Sequence, residues 1–227
     1  MHKIYKSVDK KAIMYKFNSQ IQFGPTVPEQ SIDLIKNEPM LFSCDFDTAF
    51  ELGGVLTKCF LAKLSEEFFN AKDLMIDSRV HMLMPNWYPC ISGFHHDDVP
   101  REREDKQPEY DNPSYRSKHC MALIGGASST EFALGEAEFP KVSLGEIFYK
   151  VWHPIVVEKL NNGELTRFNA PFNQLIYFDD RTWHQGTKAT ESGWRFFIRA
   201  SINTGRKPTN ELRRQVQVYL ENPMEGW

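Results

Sequence analysis

The chain has 227 residues, 41% of them hydrophobic and 13% aromatic, with a net charge of −3. This composition supports a sizeable core and argues against disorder, and its mild acidity gives no polybasic drive toward nucleic acid or an anionic membrane. No apolar run reaches the roughly eighteen residues of a membrane span and no apolar leader follows Met1, so one soluble, cytoplasmic domain over residues 1–227 is expected.

Residues 1–40 mix short apolar clusters with Gly24-Pro25 and Pro28, which predicts an irregular or short-strand lead-in. Over residues 45–70, apolar side chains recur at three and four spacing behind Asp45 or Asp47, and predict one long supporting helix. Residues 74–88 read as a strand ended by Pro85 and Pro89, with His81 structural, and residues 90–97 as the next strand. Residues 99–118 form a long, charged, proline-containing loop. Loops of this length in a compact domain are usually functional or disordered, so a lid is expected here, with Tyr110, Tyr115 and Arg116 as substrate contacts.

Residues 119–134 read as two strands around Gly125-Gly126. Residues 147–160 and 164–168 read as a hairpin turned by Asn161-Asn162-Gly163, with His153 structural. Further strands cover residues 174–178 and 193–202, and a helix over residues 210–220 lies in the tail, residues 208–227. Many short strands with turn signals between them predict a mainly β protein of two stacked antiparallel sheets, a jelly roll over residues 74–203. Cys44, Cys59, Cys90 and Cys120 are widely spaced without a CxxC pair, and reduced thiols are expected.

The chemistry concentrates in Gly93-Phe94-His95-His96-Asp97-Asp98 and in Asp180-Arg181-Thr182-Trp183-His184-Gln185-Gly186. On a strand, residues two apart share a face, so His95 and Asp97 can meet one metal ion, with His184 from a distant strand. Two histidines and a carboxylate form the facial set that holds non-haem Fe(II) and leaves its other face open. A lone His-x-Asp lies within chance for a chain with 7 histidines. The pattern gains weight from Arg195 and Arg199, which share one face of the strand over residues 193–202 and call for an anion or carboxylate. The doublet also contains His96 with Asp98, and register decides between the two pairs.

Taken together, His95-x-Asp97, His184-x-Gly186, Arg195 and Arg199-x-Ser201 resemble the Fe(II)- and 2-oxoglutarate-dependent dioxygenases. The arginine spacing is most similar to the taurine dioxygenase and phytanoyl-CoA hydroxylase branches, and Phe94-His95-His96-Asp97 resembles the Trp-His-x-Asp form of the latter. The matching segments run over residues 79–203. The resemblance implies a double-stranded β-helix, Fe(II) on His95, Asp97 and His184, and 2-oxoglutarate and O2 as co-substrates. It further implies an arginine on the far carboxylate of 2-oxoglutarate. Spacing favours Arg195 and the Arg-x-Ser form favours Arg199; Arg195 is chosen, leaving Arg199 for an anionic substrate. Thr130 would supply a hydroxyl to the co-substrate. Hydroxylation of a polar or anionic small molecule, with release of succinate and CO2, is the implied reaction. A cupin-type metal enzyme without 2-oxoglutarate and a non-catalytic β-sandwich binding module are the alternatives, and oligomeric state is open.

Overall fold

A computed structural model describes residues 14–112, 114 and 116–220. It is mainly β, with antiparallel sheets. The larger sheet has the order β2-β8-β5-β10-β4, formed by Gln22–Thr26 (β2), Gln174–Asp179 (β8), Lys118–Gly125 (β5), Gly193–Ile202 (β10) and Met75–Leu83 (β4). The smaller one is built on the long strand Thr130–Pro140 (β6). Its far half pairs with Met14–Ser19 (β1), and its near half with Thr166–Asn169 (β7) and Trp183–Gly186 (β9).

Side-chain alternation gives each sheet two different faces. On the larger sheet, Ile76 and Val80 of β4, Ala122 and Ile124 of β5, and Phe196, Ile198 and Ala200 of β10 point outward. There they pack with Ile35, Leu56 and Phe60 from a helical layer. The intervening residues Asp77, Arg79, His81, Arg195, Phe197 and Arg199 line a cavity on the opposite face. Met121, Leu123 and Phe178 on that face pack with Phe132 of β6, which closes the two sheets on one another. Behind the smaller sheet, Ala133, Phe139 and Trp183 pack with a last helix, Phe148–Asn161 (α5).

The helical layer comprises Ile32–Asn37 (α1), Phe46–Leu52 (α2), Val55–Leu61 (α3) and Glu66–Phe69 (α4), with Leu41–Phe42 (β3) following α1. The long helix expected over residues 45–70 is therefore three helices. Gly53 and Gly54 break the first from the second, since a side chain on Gly54 would collide with the Glu38 carboxylate. That carboxylate is buried and accepts from Leu56 N (3.1 Å), Thr57 N (2.8 Å) and Thr57 Oγ1 (2.7 Å), so it caps α3 in place of a local N-cap side chain.

The hairpin expected over residues 147–168 is also corrected, because its first arm is α5. Phe148, Tyr149, Trp152 and Val156 are its buried residues, a one-face helical spacing, and Pro154 lies on its exposed side. Asn161-Asn162-Gly163 ends the helix instead of turning a hairpin. Asn162 is the cap, and Gly163 (φ 82°) takes the left-handed conformation that favours glycine. Residues 90–97 make no strand, and residues 210–220 make no helix. In the tail, Glu211–Leu212 (β11) pairs with β3, Arg213 N donates to Met40 O (2.8 Å), and Tyr219 exchanges backbone hydrogen bonds with Tyr88. These backbone groups find partners across the chain that a helix would have found internally.

Among the described residues, no helix is long and apolar enough to cross a membrane, and all four cysteines are free of disulfides.

Candidate metal centre

His95 lies in an irregular segment between Gly93 (φ 103°) and Asp98 (φ 50°), held to β9 by a single reciprocal bridge. His95 N donates to His184 O (3.0 Å) and His184 N to His95 O (3.2 Å), so the two histidines are clamped to each other through their own backbones. Their rings lie 4.6 Å apart. His95 Nδ1 sits 2.8 Å from Gly93 O and His184 Nδ1 2.9 Å from Thr182 O. Each carbonyl accepts the Nδ1 proton, which leaves both Nε2 lone pairs as ligand atoms.

The Asp97 carboxylate stands between them, 3.7 Å from His95 Nε2 and 3.2 Å from His184 Nε2. One ligand atom from each of the three residues lies within 4.8 Å of the others. Burial pulls the His95 imidazole down to about 4, with the neighbouring His184 adding to the effect, so the ring is neutral at pH 7. Burial by itself raises the Asp97 carboxyl, yet Arg199 and His184 reverse this and hold it well below the usual carboxylate range. His95 thus presents a neutral nitrogen donor beside the anionic oxygen donor of Asp97, the form in which such residues bind a divalent ion.

The other pair of the doublet does not converge. His96 turns into the aromatic layer, its ring 3.7 Å from that of Trp183 and its Nδ1 2.7 Å from Tyr110 Oη. Asp98 pairs with Arg206 (2.9 Å) and Arg199 (3.4 Å).

The cavity beside the three ligands has a volume of about 170 Å³ and is lined also by Thr130, Arg195 and Arg199. Arg195 is 3% exposed. Its Nε donates to Ser128 O (2.9 Å), and among the described residues no carboxylate lies within ion-pairing distance of its guanidinium. Burial lowers Arg195 to about 10, still charged at pH 7. Arg199 is in the opposite condition. Burial works against its charge, but its contacts with Asp97 and Asp98 raise it above its ordinary value.

Three expected substrate contacts fare differently. Tyr110 is buried among Phe17, Phe148 and Trp152 behind the smaller sheet, and does not line the cavity. Arg116 bonds to Asp180 (2.8 Å) and Asp179 (3.4 Å), also away from the cavity. Tyr115 lies outside the described residues. The described part of the loop over residues 99–118 is tied down by the buried Tyr110 and by Glu109 N donating to Pro100 O (2.7 Å), so Tyr110 serves the core and not the substrate.

Sequence reasoning passed over Arg79 and Asp77 of β4, which line the cavity beside His81. The signal was present: Asp77, Arg79 and His81 alternate with Ile76, Ser78 and Val80, so three polar side chains share one strand face. Burial, with Arg195 nearby, lowers His81 to about 3, and it is neutral at pH 7. His153, expected to be structural, accepts from Phe94 N (2.9 Å) and so braces the ligand segment from α5. Compared with known proteins, the chain matches no protein-family model and no curated protein.

Proposed function

We propose that this chain is an Fe(II)- and 2-oxoglutarate-dependent oxygenase built on a double-stranded β-helix, or jelly roll. The observation that carries the reading is the juxtaposition of His95, Asp97 and His184 with the buried, carboxylate-free guanidinium of Arg195 on one cavity. The donor set fits the ion: two imidazoles whose Nδ1 protons are engaged, and one anionic carboxylate. Iron and 2-oxoglutarate, when bound, supply dioxygen activation coupled to decarboxylation of the co-substrate, with oxidation of a substrate C–H bond.

His95, Asp97 and His184 hold the metal. Arg195 pairs with the far carboxylate of 2-oxoglutarate through its planar fork, which stays charged despite burial. Thr130, on the same cavity wall, supplies a hydroxyl donor. Arg199 orients Asp97 and does not take the anionic substrate left to it by the choice of Arg195, because its charge is already taken up by Asp97 and Asp98. Met121, Phe178 and Phe197 complete the wall and exclude water from it. A cupin-type site without 2-oxoglutarate leaves the buried charge of Arg195 unanswered. A binding module whose three polar residues stay apart conflicts with their convergence.

Metal analysis tests the ligand assignment. The protein should take up one Fe(II) per chain and gain thermal stability from it, and 2-oxoglutarate should raise the melting temperature of the loaded form further. His95→Ala and His184→Ala should abolish uptake, whereas His96→Ala should keep it while losing stability. Uptake that survives in the first two variants or disappears in the third contradicts the assignment.

A further inference from the structure

A second cavity, of about 350 Å³, lies under residues 213–219 and shares Arg79, Pro89, Cys90 and His95 with the first. A molecule held there would sit against the metal ligand His95. Its lining contains two arginines, Arg79 and Arg213, and no carboxylate. Arg213 is already balanced, with Nη2 donating to Asp77 Oδ1 (2.9 Å) and Nε to Leu41 O (3.2 Å). Arg79 has no such partner: among the described residues, no carboxylate lies within ion-pairing distance of it. Burial lowers its guanidinium and Arg213 and Arg199 lower it further, an effect that Asp77 and Cys90 offset only in part. On the sheet, Arg79 stands opposite Phe197, two pairs along from Arg195 opposite His81, so two under-neutralised guanidiniums share the face that looks onto the metal group.

Charge counting separates their tasks. Resting on the reading of Arg195 as the 2-oxoglutarate residue, we propose that the cavity under residues 213–219 binds the oxidised substrate, an amino-acid-sized molecule carrying one carboxylate, and that Arg79 pairs with that carboxylate. A monoanion matches the single uncompensated charge in this lining, and a guanidinium fork matches a carboxylate in shape. Gln215, Gln217 and Tyr219 offer uncharged donors and acceptors to the rest of the molecule. Tyr219 Oη donates to Gln217 Oε1 (3.0 Å), which holds this wall together.

The test uses the Fe(II)- and 2-oxoglutarate-loaded protein without oxygen, titrated by calorimetry with N-acetyl amino acids and with their neutral primary amides. At least one acid should bind, its amide roughly tenfold more weakly, a preference worth about 1.4 kcal/mol. Arg79→Gln should reduce the acid to the level of its amide, and should weaken the acid by a larger factor than it weakens 2-oxoglutarate, whose own guanidinium Arg195 is retained. It should not lower the melting temperature, since it removes a desolvated charge that has no ion pair. Acids and amides binding alike, no acid binding, or a preference that survives in Arg79→Gln overturns the proposal. Failure of the oxygenase reading shows itself separately, as wild-type protein that takes up neither iron nor 2-oxoglutarate. The same titration of the metal-free protein then decides the role of Arg79 by the same outcomes.

Discussion

At the scale of residues, four buried histidines, His81, His95, His96 and His119, are kept neutral by burial, and this makes the metal-free protein sensitive to acid. His81 is lowered to about 3 and His95 to about 4 by burial, while His96 and His119 are pushed well below their ordinary value. The unfolded chain protonates these rings below about pH 6.5 and the folded chain does not, so protons favour unfolding. Stability from these groups is complete above about 6.5 and is lost as the pH falls toward the folded values. Each ring contributes about 1.4 kcal/mol per pH unit in that window. Thermal melts of metal-free protein should therefore show a steep fall between pH 6.5 and 4; a flat profile contradicts the buried neutral state. The convergence of His95, Asp97 and His184 was legible in the sequence because two of them stand in one short His-x-Asp motif. The pairing of Arg199 with Asp97 was not, since it joins residues 102 positions apart and depends on how the ligand segment meets β10. Arg79 escaped for a related reason: its neighbours Arg195 and Phe197 are set by strand register, which the alternation within β4 does not reveal.

At the scale of elements, local signals carried the strands and misled at helix ends. β5, β8 and β10 were legible as apolar runs between turn signals, because each buries one face on the helical layer and the other on the facing sheet. Asn161-Asn162-Gly163 has the composition of a hairpin turn and serves as a helix stop, a distinction made by the buried face of Phe148, Tyr149, Trp152 and Val156. The apolar period of residues 45–70 runs unbroken through Gly53-Gly54, although the backbone there turns around the Glu38 carboxylate. Glu38 should thus be worth more than an ordinary surface acid. Glu38→Ala leaves the Leu56 and Thr57 amides and the Thr57 hydroxyl without their acceptor in a buried place, and should destabilise the protein by about 2–3 kcal/mol. Chemical denaturation measures this directly; a change below about 0.5 kcal/mol would mean that the cap contributes no more than an exposed side chain.

At the scale of the whole molecule, two antiparallel sheets close on one another, the helices cover their outer faces, and the polar side chains gather inside. The larger sheet contributes the arginines from β4 and β10, and the smaller contributes His184 and Thr130 from β9 and β6. A mainly β architecture was legible from the spacing of strands and turns. The route of residues 210–220 was not, because its partners Met40, Leu41 and Tyr88 are distant in sequence. The central claim, that one cavity holds both a divalent ion and a dicarboxylate, is tested most directly by anaerobic titration with Fe(II) and 2-oxoglutarate while watching for the visible metal-to-ligand charge-transfer band. The band should require both additions, vanish in His184→Ala, and need at least about tenfold more 2-oxoglutarate in Arg195→Ala, the loss of roughly 1.4 kcal/mol or more of charge-assisted pairing. Absence of the band in wild-type protein, or an unchanged titration in Arg195→Ala, would contradict it.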